Sequence, residues 1–140
     1  MLSVPQADDS SAERDKPRIL IADDDPGIRN LLRMTFEIAG FDVIEAATGN
    51  EAAERAAESR PDIFVTDLAM PDGEGLETLR RFQQNFPAIP TVAISGAFSG
   101  GVLRAALYFG ARAVMQKPIR TPKLVEIVSA LVAGKPVLSD

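Results

Sequence analysis

Ile63-Phe64-Val65-Thr66-Asp67-Leu68-Ala69-Met70-Pro71-Asp72-Gly73 is the stretch on which the reading of this chain turns. Its apolar, strand-forming half stops at a carboxylate, and Pro71, Asp72 and Gly73 then supply a turn. The pattern predicts a buried strand with Asp67 at its carboxyl end, where open α/β sheets place their ligand sites.

On the amino-terminal side the same pattern recurs. Arg18-Ile19-Leu20-Ile21-Ala22 is an apolar run that stops at Asp23-Asp24-Asp25, and Phe41 to Ala46 alternates like a strand. Between them Ile28, Leu31, Leu32, Thr35, Phe36 and Ala39 recur at helical spacing. Asp25 before Pro26 suits an N-cap with proline at the first helical position, and Gly40 predicts a left-handed stop. Thr48 caps a small-residue helix through Ala52, Ala53, Ala56 and Ala57, closed by Arg60-Pro61.

On the carboxyl-terminal side, Leu76, Leu79 and Phe82 mark a helix ending near Asn85, and Thr91 to Ser95 a fourth strand. Gly96, Gly100 and Gly101 predict a loose loop, and Leu103, Ala106 and Leu107 a helix that Gly110 ends. Ala113 to Gln116 reads as a fifth strand, closed by Lys117-Pro118. Leu124, Ile127, Val128, Leu131 and Val132 form a last helical stripe, stopped by Gly134 and Pro136. Strands alternating with helices in this way predict a doubly wound α/β fold around a five-stranded parallel sheet.

The 140 residues suffice for one domain with a substantial core. Apolar residues make up 46% and charged residues 25%, an ordinary globular balance. A net charge of -5 without a basic stripe argues against a nucleic-acid partner. Cysteine is absent, which excludes disulfides, thiolate catalysis and cysteine-bound metal. Histidine is absent too, so no imidazole base and no phosphohistidine can reside on this chain. No apolar run reaches membrane-spanning length, and no membrane role is expected. Residues 1–16, with Asp8, Asp9, Glu13 and Asp15, read as a disordered leader rather than a signal peptide. Residues 17–134 are the expected domain, 135–140 a short tail, and the cytoplasm the expected compartment.

In such a fold the carboxyl ends of strands one, three, four and five share one rim. Their terminal residues are Asp23 and Asp24, Asp67, Ser95, and Lys117. Singly, each has an ordinary explanation: helix capping, a turn acid, a loop entry, a solvated charge before proline. Capping, however, needs only Asp25 and leaves Asp23 and Asp24 unexplained. Crowded carboxylates repel one another, and a divalent cation removes that penalty. Mg²⁺ suits one or two carboxylates together with waters and a phosphate oxygen. Lys117 would add positive charge on the opposite side, and Ser95 a hydrogen bond. Phosphoryl transfer to Asp67 needs that equipment, because its chemistry is mostly positioning and charge neutralisation.

Taken together, these residues resemble a receiver domain of the two-component response regulators, of the chemotaxis-regulator type. The pieces that carry the resemblance are Ile19-Leu-Ile-Ala-Asp-Asp-Asp-Pro-Gly-Ile-Arg29, Val65-Thr-Asp67-Leu-Ala-Met-Pro71 with Gly75, Thr91-Val-Ala-Ile-Ser95-Gly96, and Gly110-Ala111 leading to Lys117-Pro118. The resemblance implies a flavodoxin-like (βα)5 fold with strand order 2-1-3-4-5. It implies that Asp67 accepts a phosphoryl group from a phosphohistidine on a sensor histidine kinase or histidine phosphotransfer protein, necessarily another chain. It also implies Mg²⁺ held by Asp24, Asp67 and the backbone carbonyl of Ala69, with Asp23 acting through a bound water. Lys117 would bind the phosphoryl oxygens, and Ser95 would swing toward them to report the modification. Val114 stands where an aromatic residue is frequent, three positions before the lysine, so no aromatic flip is expected there. Ala69 and Ala97 are small and are expected to leave the approach to the acyl phosphate open to water.

Rival chemistries fit less well. An aspartate-nucleophile phosphatase of the haloacid-dehalogenase type needs a second aspartate two residues on, where Ala69 stands. No phosphate-binding G-x-x-x-x-G-K-[ST] loop is present, and Gly73-Glu-Gly75-Leu-Glu-Thr78 lacks the last glycine of the dinucleotide fingerprint. The alternative is a receiver-shaped interaction module that is never phosphorylated. Loss of an acid, the hydroxyl or the lysine would mark it, and all are retained. No enzymatic activity beyond self-phosphorylation and self-dephosphorylation is expected. After Ala133 only a short tail remains, so the chain is expected to act by docking to partners, or as a piece of a larger regulator. Arg104, Tyr108, Arg112, Arg120 and Lys123 would line the face offered to a downstream protein, on the fourth helix, fifth strand and fifth helix.

Overall fold

A computed structural model describes residues 16–69, 75–96 and 100–134. The leader before Lys16, the turn at Pro71, Asp72 and Gly73, Ala97, and the tail with Pro136 lie outside the described residues. The strands are β1 (Arg18–Ala22), β2 (Asp42–Ala46), β3 (Ile63–Asp67), β4 (Thr91–Ser95) and β5 (Ala113–Gln116). The helices are α1 (Pro26–Ile38), α2 (Gly49–Ser59), α3 (Gly75–Asn85), α4 (Gly100–Tyr108) and α5 (Thr121–Val132). All strand pairs are parallel, in the order β2-β1-β3-β4-β5. The doubly wound α/β fold read from the sequence is therefore the fold observed.

Because successive strand side chains point to opposite faces, each central strand contributes to two cores. On one face Ile19, Ile21, Ile63, Val65, Val92 and Ile94 pack under Leu32 and Phe36 of α1 and Leu124, Ile127 and Val128 of α5. On the other, Leu20 and Phe64 meet Ala52 and Ala56 of α2 and Phe82 of α3. Farther along that second face, Ala93 packs with Leu79 of α3 and with Leu103 and Ala106 of α4. The small residues of α2 thus let that helix lie close to β1 and β2.

Local chemistry starts the helices as expected. The Asp25 carboxylate accepts from the amides of Gly27 (2.8 Å) and Ile28 (3.3 Å), and Pro26 opens α1. The Thr48 hydroxyl accepts from Glu51 N at 3.1 Å, while Glu51 Oε1 reaches back to Ala47 N at 2.6 Å, a reciprocal arrangement close to a capping box. Gly40 has φ +99°, the left-handed stop expected of it.

Three details depart from the pattern reading. Gly100 and Gly101 open α4 rather than extending a loop. Leu31 is 45% exposed and Leu107 is 48% exposed, because only one line of each helix meets the sheet. On α1 that line is Ile28, Leu32 and Phe36, so Leu31, Met34 and Ile38 form a second apolar stripe that faces solvent. Phe41 precedes β2 instead of starting it, and is buried edge-on against Phe36 with ring centroids 5.4 Å apart.

Candidate functional site

Register brings the strand ends level. Ala22 pairs with Thr66, Asp67 with Ile94, and Ser95 with Gln116, so the residues at and just past these positions meet at one rim. Asp23 follows β1, and its amide donates to Ala46 O at 3.1 Å. Lys117 follows β5, and its amide donates to Ser95 O at 2.7 Å. Ser95 is buried, and its carbonyl rather than its hydroxyl ties it to Lys117.

The expected residues do converge. Asp23, Asp24 and Asp67 each offer a carboxylate oxygen, and these oxygens all lie within 4.8 Å of one another. Asp23 and Asp67 are 2% and 4% exposed, whereas Asp24 faces solvent. Lys117 Nζ donates to Asp67 Oδ2 at 3.0 Å, and Ala69 N donates to Asp67 Oδ1 at 3.0 Å. Both oxygens of Asp67 are therefore oriented, one by a cation and one by the backbone. Gly96 follows at the rim, and Ala69 is exposed.

Two supports escaped the sequence reading. Asp25 N donates to Asp23 Oδ1 at 2.9 Å, so Asp25 aims Asp23 besides capping α1. Arg29 Nη1 donates to the Asp23 carbonyl at 2.7 Å while its Nε pairs with Glu45 of β2 at 3.1 Å. An arginine one turn into a helix that follows three acids carries a faint signal of this role. Its contact with β2, however, depends on packing between elements.

Electrostatics follow from this crowding. Burial pushes the Asp23 carboxyl above its ordinary 3.8, and the charges of Asp67 and Asp24 push the same way. The Asp25 amide and the Lys117 ammonium oppose the rise without cancelling it. Burial works against the charge on Lys117, yet the hydrogen bond and charge of Asp67, with Asp23 and Asp24 behind it, raise its pKa overall. Lys117 is thus a cation throughout the neutral range.

The sign for Asp23 is unfavourable to the metal-free fold. Between the unfolded value near 3.8 and the raised folded value, the native state holds a proton that the unfolded chain has lost. Stability of the metal-free protein therefore falls as pH rises through that window, and the ionised group costs stability at neutral pH. Asp23→Asn is expected to stabilise the metal-free protein by on the order of 1 kcal/mol. Scanning calorimetry at neutral pH with chelator should then show a melting temperature about 3 °C higher. An unchanged or lower value would count against the repulsion.

The donor set fits a hard cation. All three side chains offer oxygen, and neither histidine nor cysteine exists in the chain to favour softer metals. Ligands on opposite sides of an octahedral Mg²⁺ stand about 4.2 Å apart, from two bonds of about 2.1 Å. The 4.8 Å spread needs only a small closure to reach that.

The chain as a whole has counterparts among known proteins. Residues 19–129 match the response regulator receiver domain family. The chain is 35% identical over 108 residues to the transcriptional regulatory protein TrcR of Mycobacterium tuberculosis, covering 77% of this chain and 42% of TrcR. It is 36% identical over 100 residues to the KDP operon regulator KdpE of Escherichia coli, covering 71% of this chain and 44% of KdpE. The chain thus spans less than half the length of these curated relatives. Among solved structures, a CheY-like receiver domain protein from Methanospirillum hungatei superposes with a TM-score of 0.81 at 28% identity, covering 86% of this chain and 96% of that one. A LuxR-family two-component response regulator from Aurantimonas gives 0.80 at 30% identity, covering 89% and 91%. Strand order and these matches agree, and the chain belongs to the response regulator receiver domains of two-component signalling.

Proposed function

We propose that Asp67 is a phosphoacceptor, charged by a phosphohistidine on a partner histidine kinase or phosphotransfer protein and dependent on Mg²⁺. The observation that carries this reading is the meeting of three carboxylates within 4.8 Å, with Lys117 held 3.0 Å from one of them. An oxygen of Asp67 attacks the donor's phosphorus. The N–P bond breaks with its electron pair returning to the imidazole, and an O–P bond forms as an acyl phosphate. Lys117 accompanies the transferred oxygens as a fixed positive charge, and the Ala69 amide keeps the carboxylate aimed. Asp24, Asp67 and the Ala69 carbonyl would hold Mg²⁺, with Asp23 acting through a water. The metal supplies neutralisation of phosphoryl charge. Hydrolysis by water at phosphorus restores the acid, so the chain needs no other enzymatic activity. Residues 17–134 would form this unit. A kinase donor of this kind implies a cytoplasmic location; separately, among the described residues no helix is long and apolar enough to cross a membrane.

The message would leave through Ser95 and α4. Val114 is half-buried against α4 and lacks a ring to flip, so movement of Ser95 and α4 is the proposed signal. Arg104, Arg112 and Arg120 are exposed, Tyr108 is 85% exposed, and Leu107 adds apolar surface to the face proposed for the downstream partner. Phosphorylation by a small acyl phosphate is therefore expected to change amide hydrogen exchange in α4 and β5 by about tenfold or more, with α2 unchanged. Equal exchange in both states across 100–116 would sink this route.

Titration calorimetry tests the acidic site itself. The native protein should bind Mg²⁺ at a single site, and Asp24→Asn should bind it at least tenfold more weakly. Absence of binding to folded native protein would favour an interaction module that is never phosphorylated.

A further inference from the structure

We propose that Gly75 is a positioning residue for the phosphoacceptor, acting through the peptide that joins Leu68 to Ala69. A Cβ at position 75 would stand 1.9 Å from Leu68 O, 2.6 Å from its carbonyl carbon and 2.7 Å from its Cα. The obstacle is main chain, which cannot rotate away as a side chain would. The φ of Gly75 lies outside the left-handed region, so close approach and not backbone freedom is what demands glycine here.

The peptide that Gly75 touches is the one that aims Asp67. Leu68 O and Ala69 N–H belong to a single planar unit and must turn together. That N–H donates to Asp67 Oδ1 at 3.0 Å. Leu68 cannot yield by sliding, because its amide donates to Ile94 O at 2.9 Å and its side chain is buried with Leu79, Ala93 and Leu103. A methyl at position 75 is thus relieved mainly by rotating the Leu68–Ala69 peptide. Rotation swings the N–H away from Asp67 Oδ1. The first residue of α3 thereby sets the aim of a carboxylate at the end of β3.

This inference rests on the phosphoacceptor reading above. Its test compares Gly75→Ala with Gly101→Ala, which adds the same methyl where nothing lies within 4 Å. Mg²⁺ affinity by calorimetry and phosphorylation rate with a small acyl phosphate at saturating Mg²⁺ should each fall at least tenfold in Gly75→Ala. Both should stay within twofold in Gly101→Ala. A folded Gly75→Ala with native Mg²⁺ affinity overturns the inference, since a merely structural glycine would change stability alone. Native protein offers a second reading that requires no variant to fold. In an ¹⁵N NMR titration with Mg²⁺, the Gly75 and Ala69 amides should shift with one common midpoint, and an unmoved Gly75 overturns the coupling. If native protein neither binds Mg²⁺ nor accepts phosphate, the phosphoacceptor reading itself falls. If native protein does both and Gly75→Ala matches it, only the positioning role falls.

Discussion

Lys117→Ala is expected to slow phosphorylation of Asp67 by a small acyl phosphate about 10²–10³-fold at saturating Mg²⁺, the loss seen when one pre-aimed charge-stabilising donor is removed. The Lys117 ammonium is about one-third exposed but contacts an acid that is almost fully buried. It is also the only cation hydrogen-bonded to Asp67 among the described residues. Its removal leaves Asp23, Asp24 and Asp67 crowded, with no cation hydrogen-bonded to Asp67 among the described residues. The metal-free variant should accordingly be less stable than the native chain, by roughly 1–2 kcal/mol once solvent screening of the exposed ammonium is allowed for. Added Mg²⁺ should recover much of that stability and little of the rate, because in the proposed function the lysine would supply its own positive charge to the transferred oxygens. Lys117→Arg keeps the charge in a planar fork of different reach, and should recover only part of the rate. A rate for Lys117→Ala within threefold of native would remove the lysine from the chemistry.

Phe64→Ala should cost about 3–5 kcal/mol of stability, as expected for deleting a fully buried ring. Phe64 is 0% exposed and stacks on Phe82 with centroids 4.2 Å apart and planes 23° from parallel. It also meets Ala52 and Ala56 of α2, whose small side chains cannot swell to fill the space. Total stability for domains of this kind is about 5–15 kcal/mol, so this one change could remove a large share. In urea the midpoint should fall with little change in slope, and the melting temperature should drop by roughly 10–15 °C. Phe64 lies three residues before Asp67, so the same loss loosens the strand that presents the acceptor. A cost under about 1 kcal/mol would mean that β3 is not the packed centre described above.

Much of this architecture was legible because strand and rim signals are local. Apolar runs in β1, β3 and β4 break at Asp23, Asp67 and Ser95, and one polar residue at the end of a run announces itself without knowledge of its neighbours. Parallel register then carries those ends to one rim. The flanks of helices were harder. Leu31 and Leu107 satisfy helical spacing as well as Leu32 and Ala106 do, and only the position of the sheet decides which line is covered. The first turn of α4 was misread because glycine pairs weaken a helix intrinsically, a preference that tertiary context overrides. The positioning roles of Arg29 and Gly75 were harder to read for a different reason. One acts by reaching β2, the other by what it lacks against Leu68, and neither condition exists until the chain has folded.

The central claim is that the acidic rim makes one carboxyl, that of Asp67, able to accept phosphate. Intact mass after incubation with a small acyl phosphate and Mg²⁺ measures it most directly. The account predicts a gain of one phosphoryl group on the native chain, and none in Asp67→Asn or under chelation. A folded native chain that gains nothing, or a gain that persists in Asp67→Asn, would contradict it.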